Sequence, residues 1–561
     1  MATYTLRADG TAGSLAAALD GDPAVAAECL SLAGYASYGA GASPGDMFQL
    51  ADDGGDYRGI LYALAGTSGN EFTFKNYPGD TPTLNGSDLI TGWTISGTAN
   101  VWKAGVTTEP KQVWIDETFG DRKDVSDETG GGAESLANEY DWFWDSDGSY
   151  FDNEANTLYL YAPGDPDTQY TSPGVEACAR AYGGVASDYC IFDGLVFSKV
   201  NQIGLYAYDV SSVTARNCTF EWAWNVGCRF SADTSESGFL IEDCVARYNA
   251  TVGIVGLAVG GGTIDNTILR RNKCYENGRH TYRLPVWDYD HNFTAGIKFW
   301  TSEQSNSGWK IYENEVYDNG PTGTTNNTSS FGNGIWFDAA DGTLGDEVLA
   351  YLNLVYDNFG SGIFVEISSH VDVWSNIIYG CATGSDTDDK WAAAGIRVDS
   401  RENFVKGNNN IFNNSIYGCW IGIQVAEYAT TGEINDCTFK NNICSGNDIE
   451  LRASGGGSND AVNGSGNVYD NNCFGAEASG FISWGGSTYN TYDAWETAHG
   501  EAWVQVEGDP LFADPDNGDL TLESGSPCKS TGDDLGPPFN IGPLPSSVWP
   551  DGVLTGDRDD Y

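Results

Sequence analysis

Through the middle of the chain, apolar and polar positions alternate in short runs, and the runs return at intervals. One recurring unit is Asn/Asp-x-h-aromatic, where h is apolar or Thr. It stands at Asn217-Cys-Thr-Phe220, Asn272-Lys-Cys-Tyr275, Asn314-Glu-Val-Tyr317, Asn353-Leu-Val-Tyr356, Asn376-Ile-Ile-Tyr379, Asn414-Ser-Ile-Tyr417 and Asp436-Cys-Thr-Phe439. A second unit, Gly-apolar-x-apolar-x, starts at Gly204, Gly227, Gly253, Gly296, Gly334, Gly362, Gly395 and Gly422. Its copies lie 23, 26, 43, 38, 28, 33 and 27 residues apart. Alternation with period two marks strands, and a repeat in the twenties with two strand signatures marks a solenoid. One rung cannot bury its apolar side alone, whereas stacked rungs bury a continuous core. The pattern predicts an all-β chain folded as a right-handed parallel β-helix, its longer intervals being rungs with loop insertions. The Asn of the first unit would sit at a turn, where it tolerates the left-handed conformation and can bond the next Asn in a ladder.

Outside the repeat the pattern changes. Residues 1–90 hold short strand-like pieces and read as the cap and first rungs. Residues 91–175 are rich in Trp and alternate, as in Gln112-Val-Trp-Ile115 and Thr157-Leu-Tyr-Leu-Tyr161, which predicts a small inserted antiparallel β domain. Residues 176–445 form the helix core with the candidate site, 446–545 the C-terminal rungs and cap, and 546–561 an acidic tail expected to be disordered.

Composition narrows the function. The net charge of −52 repels nucleic acid and anionic membranes, so neither is expected as a partner. Such acidity serves solubility or salt adaptation, or holds cations such as Ca²⁺; no cofactor is required by the pattern. No apolar run is long enough to span a membrane, and the opening Met1-Ala-Thr-Tyr lacks an apolar signal region, so the expectation is either a sequence trimmed of its signal or a protein made without one. The 13 cysteines stand singly, without a Cys-x-x-Cys pair, which argues against a zinc site or a disulfide framework. Cys218, Cys244, Cys274 and Cys437 fall at core-facing repeat positions, where a thiol is a small apolar filler.

Lining up the glycine units exposes the candidate chemistry. Side chains alternate between the faces of a strand. If the apolar residues point inward, the third residues form one outward row: Tyr206, Arg229, Val255, Lys298, Trp336, Phe364, Arg397 and Gln424. The fifth form another: Tyr208, Ser231, Leu257, Trp300, Asp338, Glu366, Asp399 and Ala426. Three carboxylates thus fall on three consecutive rungs, about 4.8 Å apart. Like charges stacked so closely raise one pKa of the pair, and no fold needs them, so they point to chemistry. Asp338 and Glu366 are the candidate catalytic pair. Each interrupts a bulky apolar strand, in Gly334-Ile-Trp-Phe-Asp338 and Gly362-Ile-Phe-Val-Glu366. Lys298, Trp300, Trp336, Asp399 and Arg397 surround them as candidate substrate contacts. The insertion before Gly296 adds Arg279, His280, Arg283, Trp287, Asp288, Asp290 and His291 as an expected wall, with His291 a further candidate contact. No metal ligand set is assigned.

The same residues carry a resemblance. Gly334-Ile-Trp-Phe-Asp338 and Ile363-Phe-Val-Glu-Ile-Ser-Ser-His370, followed by Asn376-Ile-Ile, resemble the catalytic rungs of family 120 glycoside hydrolases, which are β-helical β-xylosidases. The ends, Tyr4-Thr-Leu-Arg-Ala-Asp-Gly10, Asp509-Pro-Leu-Phe512 and Gly525-Ser-Pro527, are similar to a broader group of bacterial and phage-associated β-helix proteins. The resemblance implies that Asp338 is the nucleophile and Glu366 the acid/base of a retaining glycosidase acting on a plant or algal glycan. The expected partner is an oligo- or polysaccharide, and the expected location extracellular or on a virion.

Two other classes fit the same rows. A lyase or epimerase of uronic-acid polymers would use Lys298 or Arg397 as base, with Ca²⁺ held by the acids. A non-catalytic glycan-binding phage tail or fibre protein would assemble as a homo-oligomer, typically a trimer.

Overall fold

The computed structural model describes all residues except 124–135, 149–153, 280–292, 303–305, 322–331, 384–393, 401–403, 428–431, 456–463, 500–503 and 530–561. The chain is a right-handed parallel β-helix. Each rung contributes one short strand to each of three parallel sheets, as in Cys190–Asp193, Val196–Val200 and Ile203–Tyr208, before the next rung restarts at Val213–Arg216. The first and third sheets have 13 strands each and the second has 11. Register is kept from rung to rung: Phe299 pairs with Phe337, Phe337 with Val365, and Val365 with Val398.

Inward residues make one continuous core. Ile335, Phe337, Ile363, Val365, Ile396 and Val398 are fully buried in it, and Phe299 and Phe337 stack 5.8 Å apart with planes only 10° apart. Cys218, Cys244, Cys274 and Cys437 are buried in the same core, as their repeat positions imply. The ends are closed: the helix Leu32–Tyr38 seats Tyr35 against Phe48, and the helix Tyr492–His499 seats Trp495 against Tyr469. No described helix is long and apolar enough to cross a membrane.

The asparagine ladder forms. Each Nδ2–H of Asn272, Asn314, Asn353, Asn376, Asn414 and Asn442 donates to the Oδ1 of the next, ending on Asn472, at 2.9–3.0 Å. The left-handed conformation belongs to the residue before it, including Arg271, Leu352 and Ser375, so the Asn is kept for its amide and not for its backbone freedom. Two of the seven units fall elsewhere. Asn217 is itself left-handed and precedes the ladder position, which Cys218 occupies, so Phe220 turns into the core. Asp436 precedes a strand of the first sheet, Thr438–Lys440. Asn442 and Asn472, which lack the following aromatic, are the true ladder members there.

Residues Ser87–Cys178 leave the first rungs between the second-sheet strand Thr83–Asn85 and the third-sheet strand Tyr182–Val185. They build two small sheets around Val113, Trp142, Leu158 and Leu160. Pairing there is antiparallel except between Asp121–Arg122 and Asp141–Asp145, which run parallel. Later rungs turn from second-sheet to third-sheet strands at this same corner. That corner borders the face that carries the acids.

Candidate active site

The outer face of the third sheet is built by three strands, Ala295–Trp300, Asn333–Asp338 and Ile363–Glu366, followed by Ile396–Ser400. Their register stacks Trp300 on Asp338, Asp338 on Glu366, and Glu366 on Asp399. Beside that row run Lys298, Trp336, Phe364, Arg397 and Gln424. Both rows point away from the rung interior: Trp336 and Phe364 belong to an apolar cluster separate from the main core.

This face is not open. Trp336, Phe364, Glu366, Arg397 and Asp399 are buried although they point outward, with Glu366 only 3% exposed and Asp399 fully buried. The carboxylate of Asp338 is 17% exposed and reaches the surface beside the half-buried Trp300. The expected cleft is therefore a covered site, and Asp338 marks its accessible end. Arg397 and Asp399 sit too deep to line an open groove; they lie on the next rung, in register with Phe364 and Glu366.

Each carboxylate has a different partner. Lys298 Nζ lies 2.9 Å from Asp338 Oδ2 and 3.3 Å from the centroid of the Trp336 ring. The indole face and the carboxylate together hold that ammonium. Trp336 Nε1–H donates to Glu366 Oε2 at 2.8 Å, so an uncharged donor serves the second acid. Arg397 Nη2–H donates to Asp399 Oδ2 at 2.7 Å and Nη1–H to Gln424 Oε1 at 3.0 Å, with the guanidinium 5.4 Å from the Phe364 ring. Phe293 completes the wall, its ring 6.0 Å from Trp336 and 4.8 Å from Lys298 Nζ.

Seven of the eight residues singled out from the sequence, Lys298, Trp300, Trp336, Asp338, Glu366, Arg397 and Asp399, thus stand on one face of four consecutive rungs. His291 lies outside the described residues, as do His280, Arg283, Trp287, Asp288 and Asp290. Phe293 and Gln424 escaped selection. Gln424 closes the third-residue row, and counting back by twos from Ala295 places Phe293 outward. Among the described residues no three His, Cys, Asp or Glu groups converge as a metal site.

Neither a protein-family model nor a curated protein matches the sequence. Solved structures do match. XylC, solved with xylose, superposes with a TM-score of 0.56 at 14% identity, over 91% of this chain and 87% of that one. XylC shares the fold. A glycoside hydrolase follows at a TM-score of 0.43 and 10% identity, over 84% of this chain and 96% of that one. Pectate lyase Pel9A gives 0.37 and 11%, over 97% and 94%. At such identities the likeness is one of architecture, and the site has to be read from its own residues.

Proposed function

We propose that the protein is a glycoside hydrolase that cleaves a neutral glycan with retention of anomeric configuration. The observation that carries this reading is the stacking of Asp338 on Glu366 in one outward row, with Lys298 Nζ on the first carboxylate and the Trp336 indole N–H on the second. Adjacent parallel strands are about 4.8 Å apart. That spacing suits the separation of roughly 5–5.5 Å used in double displacement better than the roughly 6.5–9.5 Å that leaves room for an inverting water.

In this mechanism Asp338, beside the Lys298 ammonium, attacks the anomeric carbon and forms a glycosyl ester. Glu366 gives its proton to the departing oxygen, then takes one from the water that hydrolyses the ester. Trp300 at the accessible end offers a ring to the apolar face of a sugar. Arg397 and Asp399, paired with each other, occupy the next rung beside Glu366. XylC supports the reading to the extent that its structure holds xylose on the same architecture. A lyase or epimerase reading needs Lys298 or Arg397 as a free base, and both are committed to ion pairs.

The test is turnover of aryl glycosides, xyloside first, then arabinoside, glucoside, galactoside and fucoside, with Asp338→Asn and Glu366→Gln alongside. Nitrophenol release by the parent, lost in both variants while their melting is unchanged, is the expected result. Full activity in both variants, or an unsaturated product absorbing in the ultraviolet in place of a reducing sugar, would refute it.

A further inference from the structure

A second concavity lies on the corner where second-sheet strands turn into third-sheet strands. It encloses about 380 Å³ and is lined by Arg279, Asp318, Pro321, Asp357 and Phe359, with Gly320 and Gly380 in its floor. Its acids are neighbours by register: Tyr317 pairs with Tyr356, so the residues that follow, Asp318 and Asp357, stand on adjacent rungs. Both have left-handed backbone, which Asp tolerates, and this accounts for the residue type but not for the hollow around it.

The hollow depends on its glycines. Gly380 has φ 62°, and a Cβ there would strike Asp357 Oδ1. Gly320 has φ 107°, and a Cβ there would come within 2.6 Å of the Phe359 side chain. The polar groups are not all used up within the fold. Arg279 pairs with Glu276 through Nη1 at 2.7 Å, but its Nε is buried without a hydrogen-bond partner. Asp318 and Asp357 still reach solvent, yet partial burial raises both carboxyl groups, and Asp318 adds repulsion at Asp357. Acceptors, a guanidinium, a ring and a proline lining one space match what a sugar residue presents: hydroxyl donors and acceptors around an apolar face. With two acids against one guanidinium, the lining carries a surplus negative charge and disfavours a uronate.

We infer that this pocket is a remote subsite for a neutral saccharide unit of the same substrate chain that the carboxylate pair cleaves; the inference rests on the proposed glycosidase reading. Gly320 in the pocket floor touches Gly332, which leads into the strand ending at Asp338. Six residues of strand put the reacting acids roughly 20 Å away. A ligand that fills both places is an oligosaccharide of several units, so the subsite acts on chain length and not on the chemical step.

The experiment uses the full chain carrying Glu366→Gln, so that binding is read without turnover. Calorimetry with xylohexaose, cellohexaose, mannohexaose and arabinohexaose, with hexagalacturonate as an acidic control and xylobiose as a short one, should find a neutral hexaose that binds. Adding Asp318→Ala and Asp357→Ala should weaken that hexaose at least tenfold and leave the short sugar unchanged; Arg279→Gln, which keeps the acids, should weaken it in the same direction. In the otherwise unaltered enzyme the same variants should raise KM for the hexaose and leave kcat/KM for the aryl glycoside as it was. Unchanged hexaose affinity in the pocket variants, hexagalacturonate bound as tightly as the neutral chains, or no neutral hexaose bound by the parent would each overturn the inference. Hexaose binding that depends on the pocket in a protein that turns over no glycoside would uphold the subsite and fell the glycosidase reading alone.

Discussion

Asp372 stands on the outer face of the first sheet, between Leu349 on one rung and Asn410 on the next, and only 5% of it is exposed. Asn410 Nδ2–H donates to its Oδ1 at 2.7 Å. That hydrogen bond favours the charged form, but burial outweighs it and the neighbouring Glu347 adds repulsion, so the carboxyl group is pushed from 3.8 up to about 7. In the unfolded chain it ionises near its ordinary value. Between about pH 4 and pH 7 the unfolded state therefore releases a proton that the folded state keeps, and stability falls as pH rises through that window. A shift of roughly three units at 1.36 kcal/mol each gives a loss of about 4 kcal/mol across it. Asp372→Asn keeps an acceptor for Asn410 and removes the titration. The unfolding free energies of parent and variant, from urea titration at pH 4 to pH 8, should diverge as pH rises, the variant gaining several kcal/mol over the parent by pH 8. Other acids in this very acidic chain titrate in both proteins and cancel in the difference. A difference that stays constant over the range would refute the reasoning.

Three further outcomes follow from the rungs. Asn353→Ala should cost about 3–6 kcal/mol, because it strips an acceptor from Asn314 and a donor from Ile311 O and Asn376 at once; a melting shift no larger than that of a surface Asn→Ala control would contradict this. Twelve of the 13 cysteines are buried, and burial pushes Cys190 and Cys437 up to about 12, so native protein should titrate about one thiol with a disulfide reagent, Cys528, and all of them in denaturant; several fast native thiols would count against the packing. Lys298→Met should lower kcat on an active glycoside by about a hundredfold while KM moves little, and a change confined to KM would assign Lys298 to binding alone.

Much of this architecture is legible from residue order, because a solenoid repeats one local rule. Parity within the glycine unit separates Ile335 and Phe337 inside from Trp336 and Asp338 outside, and the stacking of Asp338, Glu366 and Asp399 follows from counting. What counting misses is depth. Parity says that Glu366 points outward, but alternation along one strand carries no information on whether the outward space is filled. The ladder shows a second limit. Asn217 and Asp436 fit the written pattern yet hold other positions: Asn217 falls one residue before the ladder position, and Asp436 lies at a different corner, before a first-sheet strand, which local composition does not distinguish. The remote pocket shows a third. Asp318 and Asp357 look like ordinary turn acids in sequence, and only the missing side chains of Gly320 and Gly380 make the space they face.

The contacts of the proposed catalytic pair have one geometric origin. A third-row side chain on one rung reaches the fifth-row side chain of the following rung: Lys298 to Asp338, and Trp336 to Glu366. The next step along this diagonal would run from Phe364 to Asp399, but a phenyl ring has no hydrogen to donate. Asp399 is served instead by Arg397, two residues back on its own strand and hence on the same face. Three stacked acids thus receive an ammonium, an indole N–H and a guanidinium because the neighbouring row reads Lys298, Trp336, Phe364 and Arg397. Stacking alone would make Asp338 and Glu366 equivalent, whereas the proposed double displacement asks one acid to attack and the other to give a proton. The two acids differ through the neighbouring row, one rung earlier, at Lys298 and Trp336.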